Sequence, residues 1–192
     1  MNVVAGAGTR ERLLAAAREL IETGGYGSAS VVAIAERTGV AAATLYRHFQ
    51  SKEELFIQVF RDVCGGEERA MRAAAEDAGP GAVARLEAVL GTFARRALQN
   101  PRLAWALLAE PVDPLVDAER LEYRRRYADV IERELRVGIA AGEIPDQDVA
   151  FTAAALVGGC GEALVGPLSS SVGGDEVVTA IQTFVRRAVG AS

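Results

Sequence analysis

The chain has 192 residues, half of them hydrophobic and only six of them proline. It is therefore long enough for one domain with a single hydrophobic core, or for a small domain attached to a larger one. Two isolated cysteines, Cys64 and Cys160, and a single histidine argue against a disulfide framework, a metal site or a bound cofactor. The net charge of −5 disfavours a polyanionic partner, and the lack of alternating β-branched runs predicts an all-α fold of about nine helices.

The amino-terminal stretch MNVVAGAGTRERLL contains no apolar segment of signal-peptide length, which favours a cytoplasmic protein. Thr9 is a candidate N-cap for the first helix, in which apolar residues recur with helical spacing from Leu13 to Ile21. Gly24 and Gly25 then end this helix.

Two short helices follow the first one. Ser30 is the predicted cap of the second helix, Gly39 ends it, and the third helix extends from about Ala41 to Phe49. Glycine readily adopts the left-handed conformation that a tight turn between helices needs. Residues 30–49 are therefore predicted to form a helix-turn-helix motif.

A fourth helix is predicted from Lys52 to Asp77, where AEDAGPGA marks a loop. Its start is a capping box in which Ser51 accepts from the amide of Glu54, and the Glu54 carboxylate accepts from the amide of Ser51. Five more helices are predicted at residues 81–99, 101–109, 117–141, 146–165 and 175–189.

The stretch VAFTAAALVGGCGEALVGPL, at residues 149–168, is apolar enough to suggest a membrane span. It nevertheless carries Glu162, several glycines and Pro167, and no basic residues flank it. We therefore expect a buried helix and no contact with a membrane.

Charge is distributed unevenly along the chain. Residues 1–52 carry a net charge of +2, whereas the remaining residues carry −7. Only the amino-terminal part is therefore suited to face an anionic surface. The second helix of a helix-turn-helix unit fits the major groove of DNA, and the stretch SVVAIAERTGVAAATLYRHFQSK offers the small residues and the hydrogen-bond donors that this docking needs.

The segment GYGSASVVAIAERTGVAAATLYRHFQSKEELF closely resembles the amino-terminal domain of the TetR family of transcriptional regulators. The shared features are Gly-Tyr before the second helix, Ile-Ala within it, Gly-Val at the turn, Thr-Leu-Tyr and Phe in the third helix, and Ser-Lys-Glu at the start of the fourth. The resemblance implies a DNA-binding domain at residues 9–55 and a ligand-binding and dimerisation domain at residues 56–192. It also implies a homodimer that binds a palindromic operator with half-sites roughly 34 to 36 Å apart.

By position in this resemblance, Ser30 caps the second helix and faces a phosphate, Thr44 and Tyr46 bond phosphates, and Lys52 contacts the DNA backbone. An alternative role for Tyr46 is that of a half-buried aromatic that ties the third helix to the first. The full set of candidate DNA-binding residues is Ser30, Val31, Val32, Ala41, Ala42, Ala43, Thr44, Tyr46, Arg47, His48 and Lys52.

Two departures from the family pattern affect base recognition. The third helix opens with Ala41-Ala42-Ala43 where the family commonly has a polar pair, and Val32 stands where an arginine is frequent. Alanine and valine contact thymine methyl groups but donate no hydrogen bond to guanine. Specificity would then depend on apolar contacts, Arg47 and DNA shape, with a shallow salt dependence.

The ligand-binding part is less clearly marked. Its aromatic residues lie on separate helices, which suits either core packing or the lining of an apolar cavity. The candidate ligand-binding residues are Phe60, Phe93, Trp105, Leu108, Tyr123, Tyr127 and Glu162, and Phe151 belongs to the same scattered aromatic set. One of the arginines at 124–126 is hypothesised to pair with Glu162, because a buried carboxylate needs a partner.

The helices predicted at residues 146–165 and 175–189 are the candidates for the dimer interface. In the first of them, small residues recur at three- and four-residue spacing, which lets helix backbones approach closely. The predicted partners are thus a second copy of the chain, an operator in double-stranded DNA and a small-molecule effector.

A ligand-responsive repressor is the leading functional interpretation, and activation is an open alternative. A second alternative is a ligand-binding helical dimer that has lost DNA binding, given its alanine-rich recognition helix. An enzyme is disfavoured because the sequence has no glycine-rich phosphate loop, no nucleophile elbow and no metal-ligand cluster, and its one histidine lies in the DNA-binding motif.

Overall fold

The computed structural model describes residues 8–170 and 174–190, and within these ranges the chain forms nine α-helices, one 3₁₀ turn at Tyr26–Ser28 and no strand. The helices are α1 (Thr9–Gly24), α2 (Val31–Thr38), α3 (Ala42–His48), α4 (Lys52–Asp77), α5 (Ala82–Gln99), α6 (Pro101–Leu108), α7 (Pro114–Ala140), α8 (Val149–Ser170) and α9 (Asp175–Ala188). The all-α prediction is confirmed. Residues 1–7, which carry most of the expectation about export, lie outside the described part.

The first three helices pack around a small core of their own with the start of α4. Leu13 and Ile21 of α1 meet Ile34 of α2 and Leu45 of α3, and all four side chains are buried. Ser30 caps α2 by accepting from the Ala33 amide at 3.1 Å. This core holds α2 and α3 at a fixed angle, as a helix-turn-helix requires.

The turn between α2 and α3 depends on a left-handed glycine. Gly39 has φ of 69° and ψ of 27°, a conformation that strains residues with a Cβ atom. The amide of Val40 donates to the Ala35 carbonyl at 3.1 Å, which satisfies a free carbonyl at the carboxyl end of α2. Arg12 of α1 also donates to the carbonyl of Thr38.

Two predicted caps differ in detail. Thr9 is the first helical residue, and its neighbour Gly8 is the N-cap, whose amide donates to the Glu11 carboxylate at 2.9 Å. Ser51 does cap α4 by accepting from the Glu54 amide at 3.2 Å, but the Glu54 carboxylate accepts from the amide of Gln50. A glutamate can satisfy either amide, because both lie unpaired at the helix entry.

The remaining helices form a larger bundle that shares α4 with the amino-terminal part. α4 packs against α1 near its start and against α5 and α7 further along, and α5 also packs against α9. α7 begins at Pro114, three residues before the predicted start, because Asp113 caps it by accepting from the Leu115 amide at 3.0 Å and proline suits the first turn. α8 continues through Pro167 to Ser170, beyond its predicted end.

The prediction that residues 149–168 form a buried helix is wrong. α8 is long and apolar enough to cross a membrane by length and composition, as core helices of soluble proteins also are, yet only 22% of its apolar window is buried in the single chain. Its inner face is buried through a stripe that includes Leu156, Cys160 and Leu164. Its outer face is open, and Phe151 there is 72% exposed.

The proposed pairing of Glu162 with an arginine is also wrong. Glu162 is exposed, so it needs no partner, and it forms no ion pair among the described residues. Arg126 instead meets Glu68 of α4 at 2.6 Å, and Arg125 meets Glu122 at 3.4 Å.

Candidate functional site

The candidate DNA-binding residues lie on the side of α2 and α3 that faces away from the core. Ser30, Val32 and the alanines at 41–43 are exposed, and so are Arg47 and His48. Val31 and Thr44 are only half-buried, because they lie at the edge of the same face. Apart from Lys52 of α4, the predicted set therefore lies on the outward side of α2 and α3.

Tyr46 is 55% exposed, so nearly half of its surface is covered, and its alternative role as a tie between α3 and α1 stays open. Its hydroxyl is available to an external acceptor. Val32, which is 61% exposed, and the three alanines give this surface an apolar centre with few donors. This arrangement matches the requirement for contact with thymine methyl groups.

Lys52 lies over two aromatic rings at the start of α4. Its ammonium nitrogen is 5.2 Å from the ring centre of Tyr26 and 4.9 Å from that of Phe56, and the two rings are 4.6 Å apart. A cation near a helix amino terminus is electrostatically unfavourable. The ring faces compensate part of this cost and hold the charge at the start of α4.

A cavity of about 360 Å³ lies in the larger bundle, among α4, α5, α6, α7 and α8. Six predicted ligand-binding residues line it, namely Phe60, Phe93, Leu108, Tyr123, Tyr127 and Glu162. Residues that the prediction missed also line it, among them Val63, Cys64, Leu103, Leu107 and Arg124. The apolar periodicity of α6 was a signal for its leucines, and Arg124 belongs to the arginine run at 124–126 singled out above, whereas nothing local in the sequence marks Cys64.

Trp105 does not line this cavity. Leu103, Leu107 and Leu108 of α6 face it, and a side chain two residues after Leu103 points to the opposite side of the helix. Trp105 packs there against the core instead. Phe151 is on the exposed face of α8 and is also absent from the cavity lining.

The hydroxyls of the two cavity tyrosines already donate hydrogen bonds within the protein. The Tyr123 hydroxyl donates to the Arg61 carbonyl at 3.1 Å, and the Tyr127 hydroxyl donates to the Cys64 carbonyl at 3.2 Å. Burial raises the pKa of both tyrosines, so both hydroxyls stay protonated and able to donate. The cavity therefore presents ring faces and aliphatic groups to a ligand, and its polar lining comes from other side chains, among them Arg18 of α1, Arg96, Asn100, Arg124 and Glu162.

Neither cysteine is expected to react in the folded protein, although Cys64 lines the cavity. Burial raises the pKa of Cys64 and of Cys160 to about 12, so at pH 8 only about one thiol in ten thousand is a thiolate. We expect iodoacetamide at pH 8 to leave both residues unmodified, as read by intact-mass spectrometry. Labelling in 6 M guanidinium is the positive control, and rapid labelling of the folded chain would contradict this assignment.

A polar joint connects α6 to the end of α1. Arg102 donates to the Gly24 carbonyl at 2.8 Å, and Glu110 accepts from the Tyr26 amide at 3.0 Å. Gly25, between these two contacts, has φ of 81°, and a Cβ atom there would lie 2.2 Å from the Arg102 guanidinium. Sequence reasoning missed this joint, because its two contacts join residues 78 and 84 positions apart in the chain.

Arg120 of α7 completes the carboxyl end of α6. It donates to the carbonyls of Leu107 at 2.7 Å and Glu110 at 2.9 Å, and it also pairs with Asp117 at 2.8 Å. A cation at this end of a helix satisfies the free carbonyls and the helix dipole. The helix that lines the cavity is thus fixed both to α7 and to the amino-terminal part.

The chain matches two family profiles in succession. Residues 13–59 match the family described as bacterial regulatory proteins of the tetR family. Residues 79–164 match a tetracyclin repressor-like carboxy-terminal domain. The first match contains the helix-turn-helix, and the second contains much of the cavity.

Two curated relatives are similar to part of this chain. The HTH-type transcriptional repressor KstR of Mycobacterium tuberculosis is 33% identical over 99 residues, which are 51% of this chain and 44% of KstR. The HTH-type transcriptional regulator UidR of Escherichia coli is 49% identical over 47 residues, 24% of each chain. These alignments span less than half of each relative's own length.

The whole architecture also occurs in a solved structure. The transcriptional regulator FadR from Bacillus subtilis, determined in complex with stearoyl-CoA, has a TM-score of 0.79 at 23% identity, over 94% of this chain and 97% of FadR. At this identity the likeness shows the fold. Together, the helix-turn-helix surface, the helical bundle behind it and the two successive family matches show that this chain belongs to the TetR family of bacterial regulatory proteins.

Proposed function

We propose that this chain is a ligand-responsive transcriptional repressor, which binds a palindromic operator in DNA as a homodimer and is released by a small molecule. Residues 9–55 form its DNA-binding part, and residues 56–192 form its ligand-binding and dimerisation part. The observation that carries the proposal is the exposed face of α2 and α3, where the predicted DNA-binding side chains lie together while the opposite side fills the core.

The outer faces of α8 and α9 support the homodimer. Phe151 and Phe184 are 72% and 45% exposed, and Ala154, Gly158 and Gly159 leave a nearly flat apolar surface between them. Exposed apolar area of this kind is costly unless a partner covers it. A second copy of the same surface, packed across a two-fold axis, places two recognition helices on one side of the dimer.

The cavity supports an effector with an apolar body, of the fatty-acyl kind. Its lining offers aromatic and aliphatic groups, and the hydroxyls of Tyr123 and Tyr127 are already bonded to α4. The stearoyl-CoA complex of FadR, which shares the fold, supports the same ligand class. Contacts from the cavity to the DNA-binding part are provided by α4 itself and by the joint of Arg102 and Glu110 with α1.

The experiment is a titration of an operator duplex, selected from random sequence, by fluorescence anisotropy at several salt concentrations. Tyr46→Ala and Lys52→Ala are each expected to weaken binding about ten-fold, since each removes a contact to the DNA backbone. Lys52→Ala should also reduce the slope of log affinity against log salt by about 1. Stearoyl-CoA, used as the first probe, should lower the operator affinity of the unmodified chain.

Arg95→Ala is the matched control, because Arg95 is exposed on α5, away from the recognition surface. It removes one positive charge and should leave the operator affinity unchanged. If the unmodified chain shows no specific, salt-dependent binding and the Tyr46 and Lys52 variants change nothing, the chain is a ligand-binding dimer without an operator.

A further inference from the structure

α4 contains two adjacent glycines at a position where the packing does not require them. A Cβ atom on Gly65 would find its nearest neighbours at 3.5 Å and 3.6 Å, and one on Gly66 would meet only the Arg69 guanidinium at 3.9 Å. All three are ordinary van der Waals distances. Alanine therefore fits at both positions, although each glycine makes a helix interior about five-fold less favourable than alanine does.

The two cavity tyrosines hold α4 at this same place. Tyr123 donates to the carbonyl of Arg61, and Tyr127 donates to the carbonyl of Cys64, the residue just before the glycine pair. In a regular helix these carbonyls accept from the amides of Gly65 and Glu68. The two hydroxyls thus connect α7 to the turn of α4 that contains the glycines. α4 is continuous through this turn.

Both tyrosine rings also belong to the cavity. Tyr123 packs 6.0 Å from Phe60, Tyr127 packs 5.8 Å from Phe93, and the two tyrosine rings are 6.1 Å apart. A ligand among these rings must displace them or fill the space beside them. In the first case, the two hydroxyls move with the rings that carry them.

We propose that Gly65 and Gly66 form a flexible joint in α4, which the hydroxyls of Tyr123 and Tyr127 hold in the continuous helical form that favours operator binding. A ligand that moves the rings withdraws the hydroxyls, and α4 then bends at the glycines. Because α4 begins at Lys52 and its first turns pack on α1, bending there reorients the recognition surface. This inference rests on the proposed function for its effect on DNA, but not for the joint itself.

The test needs no ligand. The Tyr123→Phe/Tyr127→Phe double variant keeps both rings and removes both hydroxyls, and Gly65→Ala/Gly66→Ala restores helix propensity. Amide hydrogen exchange over residues 61–72 is compared in the full ligand-free chain, in each double variant and in the combination of all four changes. Operator affinity is measured on the same four proteins.

Loss of the hydroxyls should speed exchange in this segment by about five-fold for each hydrogen bond lost. It should also weaken operator binding by at least about five-fold. The combined variant should return to within about two-fold of the unmodified chain in both measurements, since alanines stabilise the helix without the hydroxyls. Tyr26→Phe, a hydroxyl loss near the first turns of α4, should not change exchange at residues 61–72.

Two results would show that Gly65 and Gly66 do not form a flexible joint in α4. One is unchanged exchange in the phenylalanine variant, and the other is fast exchange that persists when the two alanines are added. Exchange that responds as expected while operator affinity stays constant would overturn its regulatory role. If the unmodified chain binds no operator at all, the proposed function fails, and the exchange comparison still decides whether the joint exists.

Discussion

Phe184→Asp is expected to convert the proposed homodimer into a monomer at micromolar concentration. Phe184 is exposed on α9, and its ring lies 3.4 Å from the position that a Cβ atom on Gly159 would occupy, so the ring and the glycine form one continuous surface. An aromatic anchor in an interface contributes about 2 kcal/mol or more. Two-fold symmetry places the change in both copies, so dimerisation should weaken by about a thousand-fold.

Sedimentation velocity across a concentration series measures this effect, and operator affinity should fall with it because a monomer reaches only one half-site. Leu115→Asp is the matched control. Leu115 is 60% exposed on α7, so it is a comparable apolar residue outside the α8 and α9 faces, and its replacement should leave the dimer intact. A Phe184→Asp chain that sediments as the unmodified protein does would assign dimerisation to another surface.

Glu134→Ala is expected to lower the free energy of unfolding by about 3 kcal/mol. Glu134 is buried in the bundle, where its carboxylate pairs with Arg85 at 2.6 Å and is 3.6 Å from Arg133. Arg85 is itself largely buried and also donates to the carbonyls of Gly79 and Pro80. Removing the glutamate leaves a buried guanidinium without its main counter-charge, which is costlier than removing a surface charge.

Glu132→Ala provides the comparison within the same helix. Glu132 pairs with Arg136, which is exposed, and such pairs contribute less than about 0.5 kcal/mol. Urea unfolding at one fixed protein concentration measures both variants. The Arg85→Met/Glu134→Leu double variant should recover most of the stability, because an apolar pair of similar volume needs no counter-charge. Equal urea midpoints for Glu132→Ala and Glu134→Ala would show that burial adds nothing to the second pair.

The sequence predicted the helices best where their ends are set by local chemistry. Ser30, Gly39 and Ser51 act on amides and carbonyls within a few residues of themselves, so the bounds of α2 and α4 follow from the sequence. The start of α7 was missed because aspartate and proline, as at Asp113 and Pro114, are common both in loops and at the start of a helix. The carboxylate of Glu54 was assigned to the wrong amide, because two free amides lie within its reach.

Burial across the bundle was harder to predict than helix position. α8 is apolar on every side, so periodicity does not distinguish a helix buried within one chain from one covered by a second copy. Six cavity residues were identified from residue type, whereas Trp105 was misplaced because its direction depends on which face of α6 turns inward. The pairs of Glu134 with Arg85 and of Glu68 with Arg126 join residues 49 and 58 positions apart in the chain, and no local pattern encodes such contacts.

The contacts between α6 and α1 restrict which carboxy-terminal domains can be fused to the amino-terminal part of this protein. The end of α1 is only partly completed by nearby residues: the Gly25 amide donates to the Ile21 carbonyl, but the Gly24 carbonyl and the Tyr26 amide are satisfied by Arg102 and Glu110. A chimera spliced within α4 to a foreign effector-binding half would leave both backbone groups without partners, unless that half carried an equivalent arginine and glutamate. A biosensor design that fuses residues 9–55 to a different effector-binding domain should therefore include Arg102 and Glu110, or an equivalent pair, in that domain.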